Sequence, residues 1–149
     1  MATIEPGMWL QQDCINSWGI RFEHDGIVVD VGESGIAVMH FTWSKDNGLP
    51  VIRKTTLKEF MAMGTNTRVV TYEAAFHPDF VVSRAYSQQG RADYHLLGRN
   101  CQHFGSWCYR GSECSEFSRG VFNMSAVGAG FGVAISVVCI AGMAVTRRA

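Results

Sequence analysis

The sequence predicts a mixed α+β domain, in which an antiparallel β-sheet packs against a few helices, followed by a C-terminal transmembrane helix. Three observations predict this class. Runs of β-branched residues are separated by glycine turns, short segments carry helix start and stop signals, and a long uncharged stretch lies near the C-terminus. The chain has 149 residues, which is enough for one domain with a substantial core. We assign the domain to residues 1–118 and a membrane anchor to residues 119–149.

The strands are predicted from β-branched runs and turn residues. The stretch EHDGIVVDVGESGIAVMHF over residues 23–41 is typical of a β-hairpin, because two β-branched runs flank a Gly-Glu-Ser-Gly turn. Residues 68–74 and 93–98 are predicted to form further strands. Residues 44–54 contain a Lys-Asp-Asn-Gly run and are expected to form a loop.

Three helices are predicted from the residues at their ends. Thr56 and Glu59 have the spacing of a capping box, and Pro78 suits the first turn of the second helix. Asn100 is a favourable N-cap for the third helix, which Gly111 would end. These helices cover residues 56–63, 77–90 and 101–110.

Composition and residue spacing disfavour nucleic-acid binding, a signal peptide and a disulfide framework. Thirteen basic and thirteen acidic residues give a formal net charge of zero, so no basic stripe supports binding to nucleic acid. The N-terminal residues MATIEPGMWLQQD contain no apolar run, so we expect no signal peptide. The irregular spacing of the five cysteines fits a reducing compartment better than a disulfide framework. These cysteines are Cys14, Cys101, Cys108, Cys114 and Cys139.

The C-terminal stretch VFNMSAVGAGFGVAISVVCIAGMAV over residues 121–145 contains no charged residue. Bilayer hydrocarbon is about 30 Å thick and needs roughly 20 apolar helical residues to cross it, so Met124 to Val145 would span it. A single span here predicts a tail anchor that holds the domain on the cytoplasmic face of an intracellular membrane. A buried core helix is the alternative interpretation. The residues expected in the membrane include Met124, Gly128, Gly132, Val137 and Val145.

The same stretch contains rows of small residues. Gly128 and Gly132 form a GxxxG pair, and such pairs let two membrane helices approach closely. A homodimer through this helix is therefore one hypothesis. Glycine is also frequent in membrane helices that do not pair, so a monomeric span is the other.

Cys101 is a candidate nucleophile because of its place on the third predicted helix. With Asn100 as N-cap, Cys101 lies in the first turn, where free N–H groups and the helix dipole favour a thiolate. The same N–H groups can stabilise an oxyanion on an attacked carbonyl. Phe104 and Cys108 share its helix face and would pack it against the domain. The alternative is that Cys101 is a buried structural residue.

A thiol nucleophile also needs a base, and the chain has five histidines. His103 lies two residues after Cys101 on the same helix and points away from it. His77 precedes a proline and is expected to cap a helix or lie at the surface. His95 lies in a short apolar run and is expected in the core. The remaining two histidines are therefore the better candidates.

His24 and His40 flank the predicted hairpin. Because side chains alternate between the two faces of a strand, they share a face only in some registers. With Val31 opposite Ile36 they would point to opposite faces. A histidine pair therefore requires a hairpin loop of odd length or a bulge, and the Gly-Glu-Ser-Gly turn permits either.

Five segments together resemble the lecithin retinol acyltransferase family, and within it the small phospholipase/acyltransferases. They correspond to its opening strand, its H-box, its second-histidine strand, the helix before its NC motif, and the NC motif itself. The C-terminal apolar segment lies about where the family has its membrane helix. The segments are EPGMWLQQD (5–13), FEHDGIVVDVG (22–32), AVMHF (37–41), FVVSRAYSQQG (80–90) and YHLLGRNCQHF (94–104).

The resemblance implies a fold, a reaction and three site residues. The family has a circularly permuted, papain-like (NlpC-type) fold in which histidine precedes cysteine. By resemblance, Cys101 is the nucleophile, His24 the general base and His40 the residue that orients His24. An acyl chain would move from a glycerophospholipid to Cys101, and from that thioester to water, an amine or another lipid. No cofactor or metal is implied, and the expected partners are the phospholipid and the membrane.

One departure from the family leaves other hypotheses open. The family usually has an aromatic residue after the first histidine, whereas this chain has Asp25, whose carboxylate is expected to raise the pKa of His24 or misdirect its ring. A second hypothesis is therefore a catalytically silent protein that acts in membrane remodelling or protein interaction, as the H-box/NC 2A proteins of picornaviruses suggest. A third is a zinc site formed by His24, His40 and Cys101, whose ligand types are acceptable.

Overall fold

The computed structural model describes residues 3–44, 48–71, 76–95 and 100–111. Five antiparallel strands form one sheet in the order β4-β3-β2-β1-β5, and three helices pack against it. The α+β class and the antiparallel sheet are therefore confirmed. The elements in chain order are β1 (Trp9–Ile15), β2 (Arg21–Gly32), β3 (Gly35–Trp43), β4 (Pro50–Thr56), α1 (Leu57–Met61), β5 (Thr65–Val70), α2 (Pro78–Ser87) and α3 (Cys101–Arg110).

The expected loop over residues 44–54 is wrong in its second half. Pro50 to Thr56 form β4, which pairs with β3 along its whole length. The charged and polar residues of this stretch fit the edge of a sheet, where one side of the strand faces water. The predicted strand over residues 68–74 begins earlier, at Thr65. Of the strand predicted over 93–98, the structure describes an isolated bridge at His95, and residues 96–99 lie outside the described residues.

The predicted helix starts and the end of α3 are confirmed, whereas α1 ends at Met61 and α2 at Ser87, before the predicted ends at residues 63 and 90. The Glu59 backbone N–H donates to Thr56 Oγ1 at 3.2 Å, and the Thr56 N–H donates to the Glu59 carboxylate at 2.8 Å, which completes the capping box. Pro78 occupies the first turn of α2. Asn100 caps α3, and Gly111 ends α3 with a φ of 78°, a left-handed conformation that favours glycine.

The sheet separates two apolar clusters, which define the α3 face and the α1 face used below. On the α3 face, α2 and α3 pack on the sheet, and Phe104 and Cys108 join Cys101 there as their spacing predicts. On the α1 face, Phe60 of α1 packs on Leu10, Val28 and Val38. The members of the α3-face cluster are Trp9, Ile27, Val29, Met39, Phe41, Ile52, Val81, Ala85, Cys101, Phe104 and Cys108.

The predicted membrane anchor lies outside the residues that the structure describes. Within the part of the chain that the structure describes, no helix has the length and apolar character needed to cross a bilayer. The predicted span from Met124 to Val145, with its Gly128 and Gly132 pair, lies outside the described residues, as does the proposed boundary at residue 118.

Candidate active site

A bulge in β2 places His24 and His40 on the same face of the sheet. The hairpin begins with Val31 opposite Ile36, a pairing that in an uninterrupted register would send the two histidines to opposite faces. The register shifts over Val28–Asp30, where β2 contains one extra residue. This shift reverses the alternation, so the two rings lie diagonally across the strand pair on the α1 face.

The two imidazoles form a buried pair. His24 Nε2 and His40 Nδ1 are 3.0 Å apart, and the rings meet edge to face. His40 Nε2 lies 2.7 Å from Thr55 Oγ1 on β4, and its Nδ1 lies 3.0 Å from the Phe41 carbonyl oxygen. Phe60 stacks on the His24 ring at 5.5 Å between centroids. His40 is thus held on both ring nitrogens, while His24 keeps Nδ1 as the nitrogen that His40 does not engage.

Burial lowers the pKa of both histidines, because a dry interior disfavours their charged forms. The pKa of His24 falls to about 3, and the neighbouring His40 adds to the lowering. Burial also lowers the pKa of His40 to about 4, although the Phe41 carbonyl and Glu59 oppose this shift. Both rings are therefore neutral at pH 7. The expectation that Asp25 raises the pKa of His24 is wrong, because the Asp25 carboxyl projects to the other face of the sheet.

Cys101 lies in the capped first turn of α3. The His103 backbone N–H donates to Asn100 Oδ1 at 3.1 Å. The Cys101 thiol is 5% exposed and donates to the Glu23 carbonyl oxygen, with Sγ and O 3.4 Å apart. Burial raises the pKa of this thiol, and Asp25 raises it further, against backbone N–H groups that lower it. Cys101 is therefore a neutral thiol at pH 7 in this structure, and not the thiolate expected from a helix N-terminus alone.

The structure brings Cys101 to the strand that carries His24, but to the other side of that strand. The thiol contacts the backbone of Glu23 and belongs to the cluster on the α3 face. The His24 ring stacks on Phe60 on the α1 face. Among the residues that the structure describes, no hydrogen bond joins the Cys101 thiol to His24 or His40. The histidine pair is assembled here, whereas the Cys101 thiol bonds to the backbone of β2 and to neither ring.

Asp25 is the residue whose position sequence reasoning misjudged. Its side chain is 0% exposed, and neither carboxyl oxygen has a hydrogen bond of ordinary length and angle. Burial raises the pKa of Asp25 to about 7, while nearby Gln11 and Trp9 oppose the shift. The signal was present in the sequence, since strand alternation sends the side chain after His24 to the opposite face.

Two further polar residues support the site. Thr55 contacts His40 from β4, and it was missed because no strand was predicted there. The Gln102 side-chain amide donates to a Glu23 carboxylate oxygen at 2.9 Å, which ties the first turn of α3 to the start of β2. Gln102 directly follows Cys101 in the NC motif, so its position was available in the sequence although its partner was not.

The other histidines lie away from the pair. His103 Nδ1 is 2.9 Å from Asn100 Oδ1, so this ring completes the cap of α3. His77 is exposed, with Nδ1 3.6 Å from Asp79, as expected for a surface residue. His95 is also exposed, which corrects the expectation of a core histidine. It forms an isolated bridge outside the five-stranded sheet, so the core does not cover it.

A cavity of about 130 Å³ opens beside α3 on the α3 face. Both apolar and polar side chains line it. The cavity is lined by Phe41, Ile52, Gln88, Arg91, Asp93, Asn100, His103, Phe104 and Trp107.

The described residues contain no group of three or more His, Cys, Asp or Glu side chains arranged to hold a metal ion. The residues His24, His40 and Cys101 do not form such a group because they lie on two faces of the sheet.

The structure thus combines a cysteine at the start of a helix with a β-hairpin that carries a buried histidine pair. The chain belongs to the lecithin retinol acyltransferase family, whose model matches residues 10–114. This confirms the resemblance drawn from the H-box and NC segments, and all three predicted site residues lie within the match. A search of individual curated proteins finds no match.

Proposed function

We propose that this protein is a membrane-anchored thiol phospholipase A/acyltransferase, in which Cys101 is the nucleophile, His24 the base and His40 the residue that orients it. One observation carries the proposal: Cys101 lies in the capped first turn of α3, against the strand that carries the buried histidine pair. Membership in an acyltransferase family supports the reaction class. The finer fold expected for such a domain is the permuted papain-like, NlpC-type arrangement.

The first half of the reaction forms a thioester. Cys101 Sγ attacks the ester carbonyl carbon of a glycerophospholipid, and the thiol proton passes to His24 Nδ1. As the C–O bond breaks, His24 returns that proton to the departing lysophospholipid oxygen. The free N–H groups of the first turn of α3 stabilise the oxyanion. His40, held by Thr55, keeps the His24 ring in place through Nε2.

The second half releases the acyl chain. Water, an amine or a lipid hydroxyl attacks the thioester carbonyl while His24 accepts its proton, and the C–S bond breaks as that proton returns to sulfur. Both halves require the Cys101 thiol to leave the Glu23 carbonyl and approach His24. We therefore include in the proposal a movement of the first turn of α3 when lipid binds.

The anchor is proposed from the sequence. The uncharged run from Met124 to Val145 would hold the domain, residues 1–118, at the cytoplasmic face of an intracellular membrane, where its lipid substrate lies. Pairing of two copies through Gly128 and Gly132 is a further part of this proposal.

Incubation of the full chain with phosphatidylcholine vesicles that carry a labelled acyl chain tests the proposed function. We expect label on Cys101 and release of labelled fatty acid or transfer product. Both should be lost in Cys101→Ser and His24→Gln but retained in Cys108→Ser, a matched control because Cys108 is a buried cysteine of the same helix. Folded wild-type protein that neither becomes labelled nor releases fatty acid would refute the proposal.

A second candidate function is a catalytically silent protein of this family that binds membranes or other proteins. Two observations favour it: within the described residues no hydrogen bond joins the Cys101 thiol to His24, and the carboxyl of Asp25 is buried. It predicts that the full chain binds vesicles equally well with and without the Cys101→Ser substitution, and that no acyl chain is transferred in either case.

A further inference from the structure

Asp25 is a buried carboxyl on the same face of the sheet as Cys101. It pairs with Gln11 of β1 in the strand register, and its side chain is 0% exposed with no ordinary hydrogen bond to either oxygen. A carboxylate in a dry interior has a high free energy, because water is replaced by a medium that solvates charge poorly. A group in this position is therefore sensitive to the protonation of its neighbours.

The first turn of α3 packs on the strand that carries this carboxyl. The Cys101 thiol donates to the Glu23 carbonyl at 3.4 Å, and Gln102 binds the Glu23 side chain. One helical turn further, Gly105 lies so close to Trp9 that an added Cβ would come within 2.6 Å of the indole nitrogen. The helix is thus packed tightly on β1 and β2. The Cys101 thiol and the Asp25 carboxyl are both buried on the α3 face, and we call this buried region between α3 and the sheet the dry layer.

We propose that Asp25 is a positioning residue that sets the protonation of the Cys101 thiol: a neutral Asp25 permits the thiolate, and an ionised Asp25 suppresses it. Two negative charges in one dry layer repel strongly, since little water screens them. The inference deepens the proposed function, because it concerns the reactivity of the proposed nucleophile. It also reverses the earlier expectation, in which Asp25 acted on His24.

The other charged and titratable groups around the dry layer do not cancel the influence of the Asp25 charge on the Cys101 thiol. Glu23 of β2 and Arg68 of β5 both act on Asp25, with opposite signs, and they are paired with each other. Besides Asp25, the thiol of Cys14 on β1 acts on Cys101, and burial raises the pKa of Cys14 to about 11, so that thiol is neutral. The histidine pair lies on the far side of β2.

The pKa values set the pH range of the effect. Burial raises the pKa of Asp25 to about 7, so its ionisation falls in the neutral range. An isolated thiol below its pKa gains thiolate tenfold per pH unit. Once Asp25 is ionised, the Cys101 thiol can lose its proton in two ways. The proton can move to the Asp25 carboxylate, or it can leave while Asp25 stays negatively charged, and charge repulsion opposes this second route. The thiolate fraction of Cys101 should therefore stop rising above about pH 7.

The test is the rate of alkylation of Cys101 by iodoacetamide in the full chain between pH 5.5 and 9.5, resolved by peptide mass spectrometry. Cys108 is the internal reference, since it is a buried thiol of the same helix. We expect the wild-type Cys101 rate to rise tenfold per pH unit below about pH 7 and then level off. Asp25→Asn should continue to rise and exceed wild type by roughly tenfold at pH 8. Asp30→Asn, a matched control on the exposed end of β2, should follow wild type.

A wild-type profile that keeps rising through pH 8 would overturn the inference, and this result needs no variant to fold. An Asp25→Asn profile that is shifted by the same factor at every pH would also overturn it, because loosened packing acts at all pH values alike. Alkylation needs no lipid turnover, so the two proposals fail separately. Levelling without acyl transfer refutes the proposed function alone, and acyl transfer without levelling refutes the role of Asp25 alone.

Discussion

His24 Nε2 and His40 Nδ1 lie 3.0 Å apart in the interior of the domain, and a bulge over Val28–Asp30 makes this contact possible. Without the extra residue in β2, one ring would face α1 and the other would face α3. A local irregularity in one strand thus decides whether His24 and His40 can meet.

Replacement of Thr55 by valine should weaken the histidine pair. The substitution removes the hydroxyl 2.7 Å from His40 Nε2 and leaves a buried ring nitrogen without its partner. We expect a loss of about 1 to 2 kcal/mol in the free energy of unfolding and a lower rate of acyl transfer. Urea denaturation measures the first effect. Thr65→Val, at an exposed position on β5, should change stability by less than about 0.5 kcal/mol, and an equal loss in both variants would contradict the prediction.

An alanine at Gly26 should disturb the same pair by crowding. An added Cβ would lie 2.6 Å from Val38 Cγ1 and 2.9 Å from Phe60, with His40 Cβ at 3.3 Å. Overpacking of this kind costs about 1 to 3 kcal/mol. Gly32→Ala is the control on the same strand, because nothing lies within 4 Å of its added Cβ. Thermal unfolding should show a clear drop for the first variant alone, and equal midpoints for both would refute the packing described here.

The free energy of unfolding should rise with pH between about pH 4 and pH 6.5. In the unfolded chain His24 and His40 regain ordinary pKa values near 6.5, whereas the folded values are about 3 and 4, so the unfolded state binds two more protons in this range. Folded Asp25 retains one proton that the unfolded chain releases. The net difference of one proton gives roughly 1.4 kcal/mol per pH unit. Urea titrations at pH 4.5, 5.5 and 6.5 measure the slope, and a flat or falling profile would contradict it.

Asp25→Asn should stabilise the protein more at high pH than at low pH. The folded pKa of about 7 exceeds the ordinary value of 3.8, so the contribution of Asp25 is fully present below pH 3.8 and is lost as pH rises through 7. Between pH 5 and pH 8 the stability of the variant relative to wild type should increase by about 3 kcal/mol. Urea unfolding at pH 5 and pH 8 measures this difference. Any pH-independent cost of burying the new amide is the same at both pH values and therefore cancels. Asp30→Asn should show no such change, and a pH-independent difference for Asp25→Asn would mean that the carboxyl is already ionised at pH 5 in the folded state.

Local features were predictable because residues close in the chain determine them. The capping box at Thr56 and Glu59 and the Asn100 cap depend on groups three residues apart, so their spacing in the sequence is enough. The β-hairpin and the alternation along β2 are of the same kind. The strand β4 was missed because the Lys-Asp-Asn-Gly run before it is typical of a loop, and its pairing partner β3 supplies the stabilisation that its own residues do not show.

The sequence by itself determined the family and the N-terminal caps of α1 and α3, and it singled out His24, His40 and Cys101 as candidates. Only the tertiary structure decided the rest of the site. It placed both histidines on one face of the sheet through a bulge in β2 that the residue types do not predict. It also placed Cys101 on the α3 face, the face that carries Asp25. The physical reason is that burial and proximity arise from the packing of α3 on β1 and β2, elements distant in the chain, and the charge state of a buried group follows from that packing.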